Sequence, residues 1–455
     1  MQNKVSIKST NQQVVFKSRD LFELFSFKAD LDLSFCISTD SRQIEPSQIF
    51  LPLFGEKFDG HDFIDEVLDK KILYSFCEKS KLQKVRNEAH RTKLIVVESS
   101  LDAYHKLAKQ YLNRIKPKVI AVTGSSGKTT VKELIASVLS TRFRVHKTKA
   151  NYNNEFGVPK TILEMPQDTE ILILELAMRG EGQIRYLSKT AEPDIGIITN
   201  VGSAHIGLLG SKKSIIKAKC ELLSELRKDG IAVLFNDKEL VSYAKTVWEG
   251  NLQTFGLSML EKLSYSGGIT SLVYKGEKFV IKAQGEIYAF NSLCAILVAY
   301  QLGLNADQVR EGLASFQIPN GRGNVVPLKG NIFLIDESYN ANPESVKAAV
   351  KNVIDSWDKS YKKVLVLGEL AELGDHKAKL LSDLNLWLDS KDLYRVITVG
   401  NALSEITSGR NVKNIEECCD ILKDLLRPDT VFVIKGSHIA GLNKVVEYLV
   451  TAQPM

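Results

Sequence analysis

The chain has 455 residues, enough for about three domains at roughly 150 residues each. Apolar residues make up 44% and charged residues 25%, ordinary values for globular protein, so disordered, collagen-like and coiled-coil readings are set aside for the bulk of the chain. Lys plus Arg is 60 and Asp plus Glu is 54, a net charge of +6. Over this length that is too mild to point to nucleic acid or a membrane surface as partner.

The six cysteines, Cys36, Cys77, Cys220, Cys294, Cys418 and Cys419, show neither a CxxC nor a Cys/His metal spacing. They read as reduced thiols of a cytoplasmic protein. Met1 to Asp20 holds no apolar core of signal-peptide length, and no stretch reaches the roughly 18 continuous apolar residues that span a bilayer.

In chain order, the first hundred residues read as a small mixed α/β domain. Strands are expected at Ile49–Leu53, Ile72–Phe76 and Leu94–Val97. After Ser100, residues Leu101, Tyr104, Leu107, Ala108, Tyr111 and Leu112 share one helical face. That helix should end near Lys116, because Pro117 disfavours helix in the residue before it. A first domain over 1–115 follows.

Strand and helix signals then alternate. Val119–Val122, Ile171–Leu174, Ile195–Ile198 and Ile231–Phe235 are short and wholly apolar, which predicts a parallel sheet covered on both faces. Val131, Leu134, Ile135, Val138 and Leu139 form a helical stripe. Residues 252–290 read as an antiparallel edge, and helices are expected over Ser292–Leu302 and Ala306–Phe316. Asn320-Gly321-Arg322-Gly323 reads as a hinge, closing a central domain over 116–319. Over 320–455 the alternation resumes, with strands at Ile332–Ile335, Val364–Leu367, Val396–Val399 and Val431–Ile434. Asn342-Pro343-Glu344 is a helix start: an N-cap, proline at the first position and an acid in the first turn. The fold expected is α/β in three domains: a small mixed N-terminal one, a central P-loop domain with a doubly wound, mostly parallel sheet, and a Rossmann-like C-terminal one.

The strongest chemistry lies at Thr123-Gly124-Ser125-Ser126-Gly127-Lys128-Thr129-Thr130. A buried strand runs into a loop of small residues that opens a helix. Glycines let backbone N–H groups approach phosphate oxygens, and the helix N-terminus adds a favourable dipole. Lys128 can reach the β- and γ-phosphates, and the Thr129 hydroxyl can ligate Mg2+. The strict G-x-x-x-x-G-K-[ST] pattern wants glycine where Val122 stands, so this is a shorter variant.

Glu175 follows the strand Ile171–Leu174, at the strand edge where ligands of such sheets bind. A carboxylate there can hold Mg2+. His205 follows Ile195–Ile198 at the same edge. Lys219 stands 14 residues further on, and nothing in its sequence surroundings separates it from Lys217.

With these residues in hand, the chain resembles the Mur ligases, the cytoplasmic ATP-dependent enzymes that build the peptide stem of peptidoglycan. The phosphate loop carries the resemblance together with Asn151-Tyr152-Asn153-Asn154-Glu155-Phe156-Gly157-Val158-Pro159, Asp336-Glu337-Ser338-Tyr339-Asn340-Ala341-Asn342-Pro343, Gly368-Glu369-Leu370-Ala371-Glu372-Leu373-Gly374 and Lys435-Gly436-Ser437. Asp40-Ser41-Arg42 and Gly55-Glu56-Lys57-Phe58-Asp59-Gly60-His61-Asp62-Phe63 resemble the family's UDP-sugar-binding domain. The blocks run from about residue 38 to 437. They are most similar to the member that adds D-alanyl-D-alanine to UDP-N-acetylmuramoyl tripeptide.

The resemblance implies ATP as co-substrate, two Mg2+ ions and a monomer. It implies an ATP site of Gly124, Ser125, Ser126, Gly127, Lys128, Thr129, Thr130, Asn291, Arg322, Asp336, Tyr339 and Asn340. It implies metal ligands Thr129, Glu175, His205 and a carbamylated Lys219, with Lys128, Lys219, His205 and Asn154 as catalytic residues. UDP-substrate contacts would come from Ser41, Arg42, Asp59 and His61. Ile287 and Tyr288 depart from the family's usual histidine and asparagine near adenine, and Glu337 stands where many relatives have aspartate. A sibling ligase adding the third stem residue, folylpolyglutamate synthase, and a non-catalytic ATP-binding switch remain alternatives here.

Overall fold

The computed structural model describes residues 14–29, 32–55, 58–266, 268–403 and 405–452. Met1 to Gln13, and Glu56 and Lys57 of the Gly55–Phe63 block, lie outside this set. Among the described residues no helix is long and apolar enough to cross a membrane. The chain divides into two compact units. One takes the described residues up to Val119 with Arg144–Leu176 and Tyr186–Glu192, and the other takes the rest.

The first unit holds a five-stranded sheet in chain order: Phe16–Lys17, Ser34–Ser38, Gln48–Phe50, Ser75–Glu78 and Leu94–Val97. Its first pair is antiparallel and the others parallel. Phe50, Ile64, Val67, Leu68, Ile72, Cys77, Val85 and Leu94 form a core beneath it. The expected strands at Ile49–Leu53 and Ile72–Phe76 are displaced by a few residues. Ile72 and Tyr74 are buried, but from the turn before the strand, and an apolar run reports burial without fixing the element that delivers it. The helix Ser100–Ile115 starts at the Ser99 cap and ends at left-handed Lys116, directly before Pro117. Val145–Lys147 and Ile171–Glu175 pair in parallel.

The strand Lys118–Thr123 enters the second unit at Ile120, and there Ile195–Ile198, Ile231–Phe235 and Asn251–Phe255 follow it side by side, all parallel. The interiors of the first three are buried, as uniformly apolar strands require. The helices Lys128–Leu139, Glu286–Gln301 and Ala306–Ser315 pack together beside them. The segment expected as an antiparallel edge divides in two. Asn251–Phe255 extends the parallel set, and Lys262–Ser266, Ile269–Tyr274 and Glu277–Ile281 form a separate antiparallel sheet. The helix expected from Ser292 starts at Glu286, so Ile287 and Tyr288 are helical.

A six-stranded sheet runs Asn324–Leu328, Ile332–Glu337, Thr430–Lys435, Lys362–Leu367, Arg395–Val399, Arg410–Val412. The first pair is antiparallel and the rest parallel. The two end strands were not anticipated. One contains Pro327, which an edge tolerates because no ladder donor is lost. Apolar clusters cover both faces. The helix Pro343–Ser356 begins as expected, with Asn342 as N-cap and a capping box with Ser345.

Candidate active site

Adjacent parallel strands send their C-terminal loops out side by side. Lys118–Thr123 delivers the phosphate loop and Ile195–Ile198 delivers residues 199–207, and the two loops interlock. Thr199 Oγ1 donates to the Ser126 carbonyl (2.6 Å), and Thr199 N donates to the Thr123 carbonyl (2.9 Å). Asn200 Oδ1 accepts from Ser126 N at 2.9 Å and its Nδ2 donates to Ser126 Oγ at 2.7 Å. Gly202 N donates to Ser125 Oγ at 3.0 Å. A Cβ on Gly124 would stand 1.9 Å from Thr199 Oγ1, so only glycine lets the strands meet this closely. Sequence reasoning passed over Thr199 and Asn200 because neither carries a charge or belongs to the motif itself.

Gly127, with φ of 78°, caps the helix Lys128–Leu139. The first-turn N–H groups of Lys128, Thr129 and Thr130 thus start a helix, where donors have no partner within the helix itself. Lys128 Nζ donates to the Gly124 carbonyl at 2.8 Å, arching over the loop. Asn291 is buried, its Oδ1 3.2 Å from where a Gly127 Cβ would lie; it backs the loop from behind.

A cavity of about 520 Å3 opens beside Ser125, Ser126 and Asn200, with Phe235, Leu257, Tyr265, Ile287 and Phe290 as its apolar lining and Glu344 at its rim. Its volume suits a small-molecule ligand. Ile287 faces this cavity. Tyr288 turns away: it is buried, and its hydroxyl donates to the Arg322 carbonyl. Burial pushes the Tyr288 phenol up, so it remains a donor. The Arg322 guanidinium lies 4.2 Å over the Tyr339 ring. Asp336 Oδ1 accepts from Ser338 N and Oγ, and Asn340 Oδ1 from Ala341 N. These residues gather where Ile332–Glu337 ends, with Arg322 on the turn facing it.

Lys219 is 1% exposed, and no hydrogen bond or ion pair holds its Nζ among the described residues. Burial, with Lys128 close by, pushes it well below the usual lysine range. Lys217, two residues earlier, is 58% exposed and pairs with Glu181. The helix thus separates two lysines that the sequence left equivalent. His205 has φ of 67°, and its Nδ1 stands 2.5 Å from Glu372 Oε2. That contact holds the Glu372 carboxyl below its usual range, against the opposing effect of burial.

In the other unit, Glu175 is the last residue of Ile171–Glu175 and is 2% exposed. Its Oε1 accepts from Asn153 Nδ2 at 2.8 Å, and its N–H donates to Thr148 Oγ1 at 3.0 Å. Asn153, not Asn154, reaches this carboxylate. The Asn154 side chain is exposed and bonds locally, its Oδ1 accepting from Gly157 N at 2.9 Å. Arg42 pairs with Asp40, bringing its carboxyl down to about 2. Asp40 lines a polar cavity of about 330 Å3 with Gln43, Gln48, Tyr104 and Lys160. Ser41 presents its carbonyl to Lys70. Asp59 and His61 are instead an internal pair: His61 is 1% exposed, with Nδ1 2.7 Å from Asp59 and Nε2 accepting from Glu78 N. Both ring nitrogens are engaged inside the fold, so this pair anchors the Gly60–Phe63 turn.

Three family models match in series: "Mur ligase family, catalytic domain" over residues 35–112, "Mur ligase middle domain" over 122–299 and "Mur ligase, glutamate ligase domain" over 321–438. The UDP-N-acetylmuramoyl-tripeptide–D-alanyl-D-alanine ligase of Synechocystis sp. is 36% identical, covering 92% of both chains. The Bacillus subtilis ligase of the same name is 33% identical, covering 91% of this chain and 93% of its own. A crystal structure of MurF from Acinetobacter baumannii superimposes with a TM-score of 0.87 at 27% identity, covering 97% of this chain and 100% of that one. MurF ligase from Thermotoga maritima in complex with ADP gives 0.82 at 29%, over 91% and 96%.

Proposed function

The chain belongs to the Mur ligase family, and we propose that it is the ATP-dependent ligase that joins D-alanyl-D-alanine to UDP-N-acetylmuramoyl tripeptide. One observation carries this reading: similarity to ligases of that name runs nearly end to end. The phosphate loop, which keeps strand, turn and helix in sequence, agrees with it. The product would be the pentapeptide precursor of peptidoglycan, made in the cytoplasm where ATP and UDP-linked precursors are found, by a monomer.

The tripeptide carboxylate attacks the γ-phosphate of ATP, giving an acyl phosphate and ADP. The dipeptide amine then attacks the acyl carbon, and phosphate leaves. Two anions meet in the first step, so the site must supply positive potential. Here Lys128 and the first-turn N–H groups of Lys128–Leu139 do so. The apolar cavity lined by Phe235, Ile287 and Phe290 would take the adenine, with Asn291 backing the loop. Arg322, Asp336, Tyr339 and Asn340 would close over the nucleotide and exclude water, which would otherwise hydrolyse the acyl phosphate.

The donor set fits Mg2+. That ion uses few protein ligands and keeps phosphates and waters, and the Thr129 hydroxyl stands in the first turn of the phosphate-loop helix. Thr129 and His205 would hold it; for Glu175, buried at the end of its own strand, the family resemblance implies a metal role as well. Bound there, one or two Mg2+ would neutralise charge on the transferring phosphoryl group. Lys219 suits a carbamate: a buried amine kept neutral is the form that adds CO2, and the anion produced would sit beside Lys128. The 1–115 segment would hold the UDP-sugar, through Ser41 and Arg42 beside the Asp40 cavity, with Asp59 and His61 supporting that domain. Residues 116–319 would bind ATP, and 320–455 would bring the dipeptide.

The test is ADP release with UDP-tripeptide and a panel of D-Ala-D-Ala, diaminopimelate, lysine and glutamate. Release dependent on D-Ala-D-Ala alone is expected. Lys128→Ala should abolish it while UDP-tripeptide still binds. Turnover with a single amino acid, or near-normal turnover in Lys128→Ala, would overturn the assignment.

A further inference from the structure

Residues 199–207 touch two elements at once. On one side Thr199, Asn200 and Gly202 hold Ser125 and Ser126. On the other, two carboxylates from beyond residue 320 hold the same loop. Glu344, in the first turn of Pro343–Ser356, accepts from Ser203 N at 3.1 Å and Ser203 Oγ at 2.6 Å. Glu372 meets His205 through its side chain and accepts from Gly207 N through its carbonyl at 3.0 Å.

The second contact is built for close approach. A Cβ on Gly207 would lie 2.4 Å from Gly374 N and 2.7 Å from the Glu372 carbonyl. His205, Glu372 and Gly374 all have positive φ, of 67°, 64° and 51°. Left-handed backbone at non-glycine residues persists only where surrounding contacts impose it. Two such residues face each other here, so the seam is specified from both sides.

We propose that Glu344 and Glu372 are positioning residues that hold the loop 199–207 against the phosphate loop, so that nucleotide affinity depends on carboxylates supplied by the C-terminal segment. The chain of contacts is short: Glu344 to Ser203, along three residues to Asn200, and from Asn200 to the N–H and hydroxyl of Ser126. Charge-assisted bonds at Ser203 are the stronger members of this chain. If Ser203 is released, Asn200 loses the restraint that keeps its amide under Ser126, and the loop samples geometries that do not fit phosphate. This rests on the reading of Gly124–Thr130 as the ATP phosphate loop.

Glu344 also reaches the rim of the cavity, so the test must separate an action through Ser203 from a direct contact with nucleotide. ADP binding is measured by calorimetry, with EDTA present to remove any metal contribution, for the full chain and for Ser203→Ala, Glu344→Ala, Ser203→Ala/Glu344→Ala, Glu344→Gln and Glu372→Ala. Each single alanine variant is expected to bind roughly tenfold more weakly, as loss of one or two hydrogen bonds implies. The double variant should bind no more weakly than Glu344→Ala, because that change already removes both bonds to Ser203, including the one that Ser203→Ala removes. Glu344→Gln should recover part of the loss, and melting temperatures should stay close to the parent's. Unchanged affinity in the single variants, or additive losses in the double one, would overturn the proposal. Absence of ADP binding in the parent, matched by Lys128→Ala, would instead remove the nucleotide reading, and the proposal with it.

Discussion

Glu372 Oε2 stands 2.5 Å from His205 Nδ1, and both residues hold left-handed backbone where they meet. A carboxylate this close to one ring nitrogen orients the imidazole. Glu372→Gln keeps the shape and removes the charge. ADP release with both substrates should fall roughly 10- to 100-fold, the range seen when such supporting carboxylates are lost. Thermal melting, which should hardly move, separates this from a folding defect. Full activity in Glu372→Gln would show that His205 needs no orienting partner.

Lys219 sits beside Lys128 in the interior, and a second ammonium there would be unfavourable. Lys219→Ala should be inactive. Short-chain carboxylates should restore part of the activity by standing in for the carbamate, whereas bicarbonate should not, since no amine remains to receive CO2. Turnover assays with added acetate or propionate read this directly, and unimpaired Lys219→Ala would remove the carbamate from the mechanism.

Tyr288 ties the helix Glu286–Gln301 to the turn at Arg322. Tyr288→Phe leaves the half-buried Arg322 carbonyl without its donor, a loss of about 1 kcal/mol, and frees the segment that carries Arg322. Urea unfolding should show the first effect, and a raised KM for ATP with little change in kcat should show the second. Gly323→Ala should act in the same direction, because φ is +103° and a Cβ would lie 2.7 Å from the Tyr288 hydroxyl.

Asp59 supplies a pH test of the first unit. Burial raises this carboxyl, but hydrogen bonds from Lys84, the His61 backbone and Lys81 outweigh it and hold the group well below the usual carboxylate range. A carboxyl depressed on folding contributes stability that is fully present above its unfolded value near 3.9 and is lost as pH falls through the folded value. Asp59→Asn should therefore lower the melting temperature at pH 7, and the gap from the parent should narrow below about pH 4. An equal gap at pH 7 and pH 3 would mean that Asp59 acts by packing alone.

Local pattern alone carried the strand and loop framework of this protein. Ile195–Ile198 and Ile231–Phe235 are each one uninterrupted apolar run, and Asn342-Pro343 marks a helix start because capping is local chemistry. The phosphate loop is legible for the same reason, since all its parts lie within eight residues. Family resemblance, which covers most of the chain, supplied the reaction. What pattern could not reach were choices made by packing across sequence distance. Periodicity left Lys217 and Lys219 alike; burial on one side of a helix separated them. The family resemblance points to Asn154, whereas backbone direction sends Asn153 to Glu175 and Asn154 back to Gly157. Glu344, Glu372 and Tyr288 are unremarkable as residues, and each gains its role only from a partner at least 34 positions away. Contacts of that span depend on where whole sheets place their loops, and no local window of sequence contains that information.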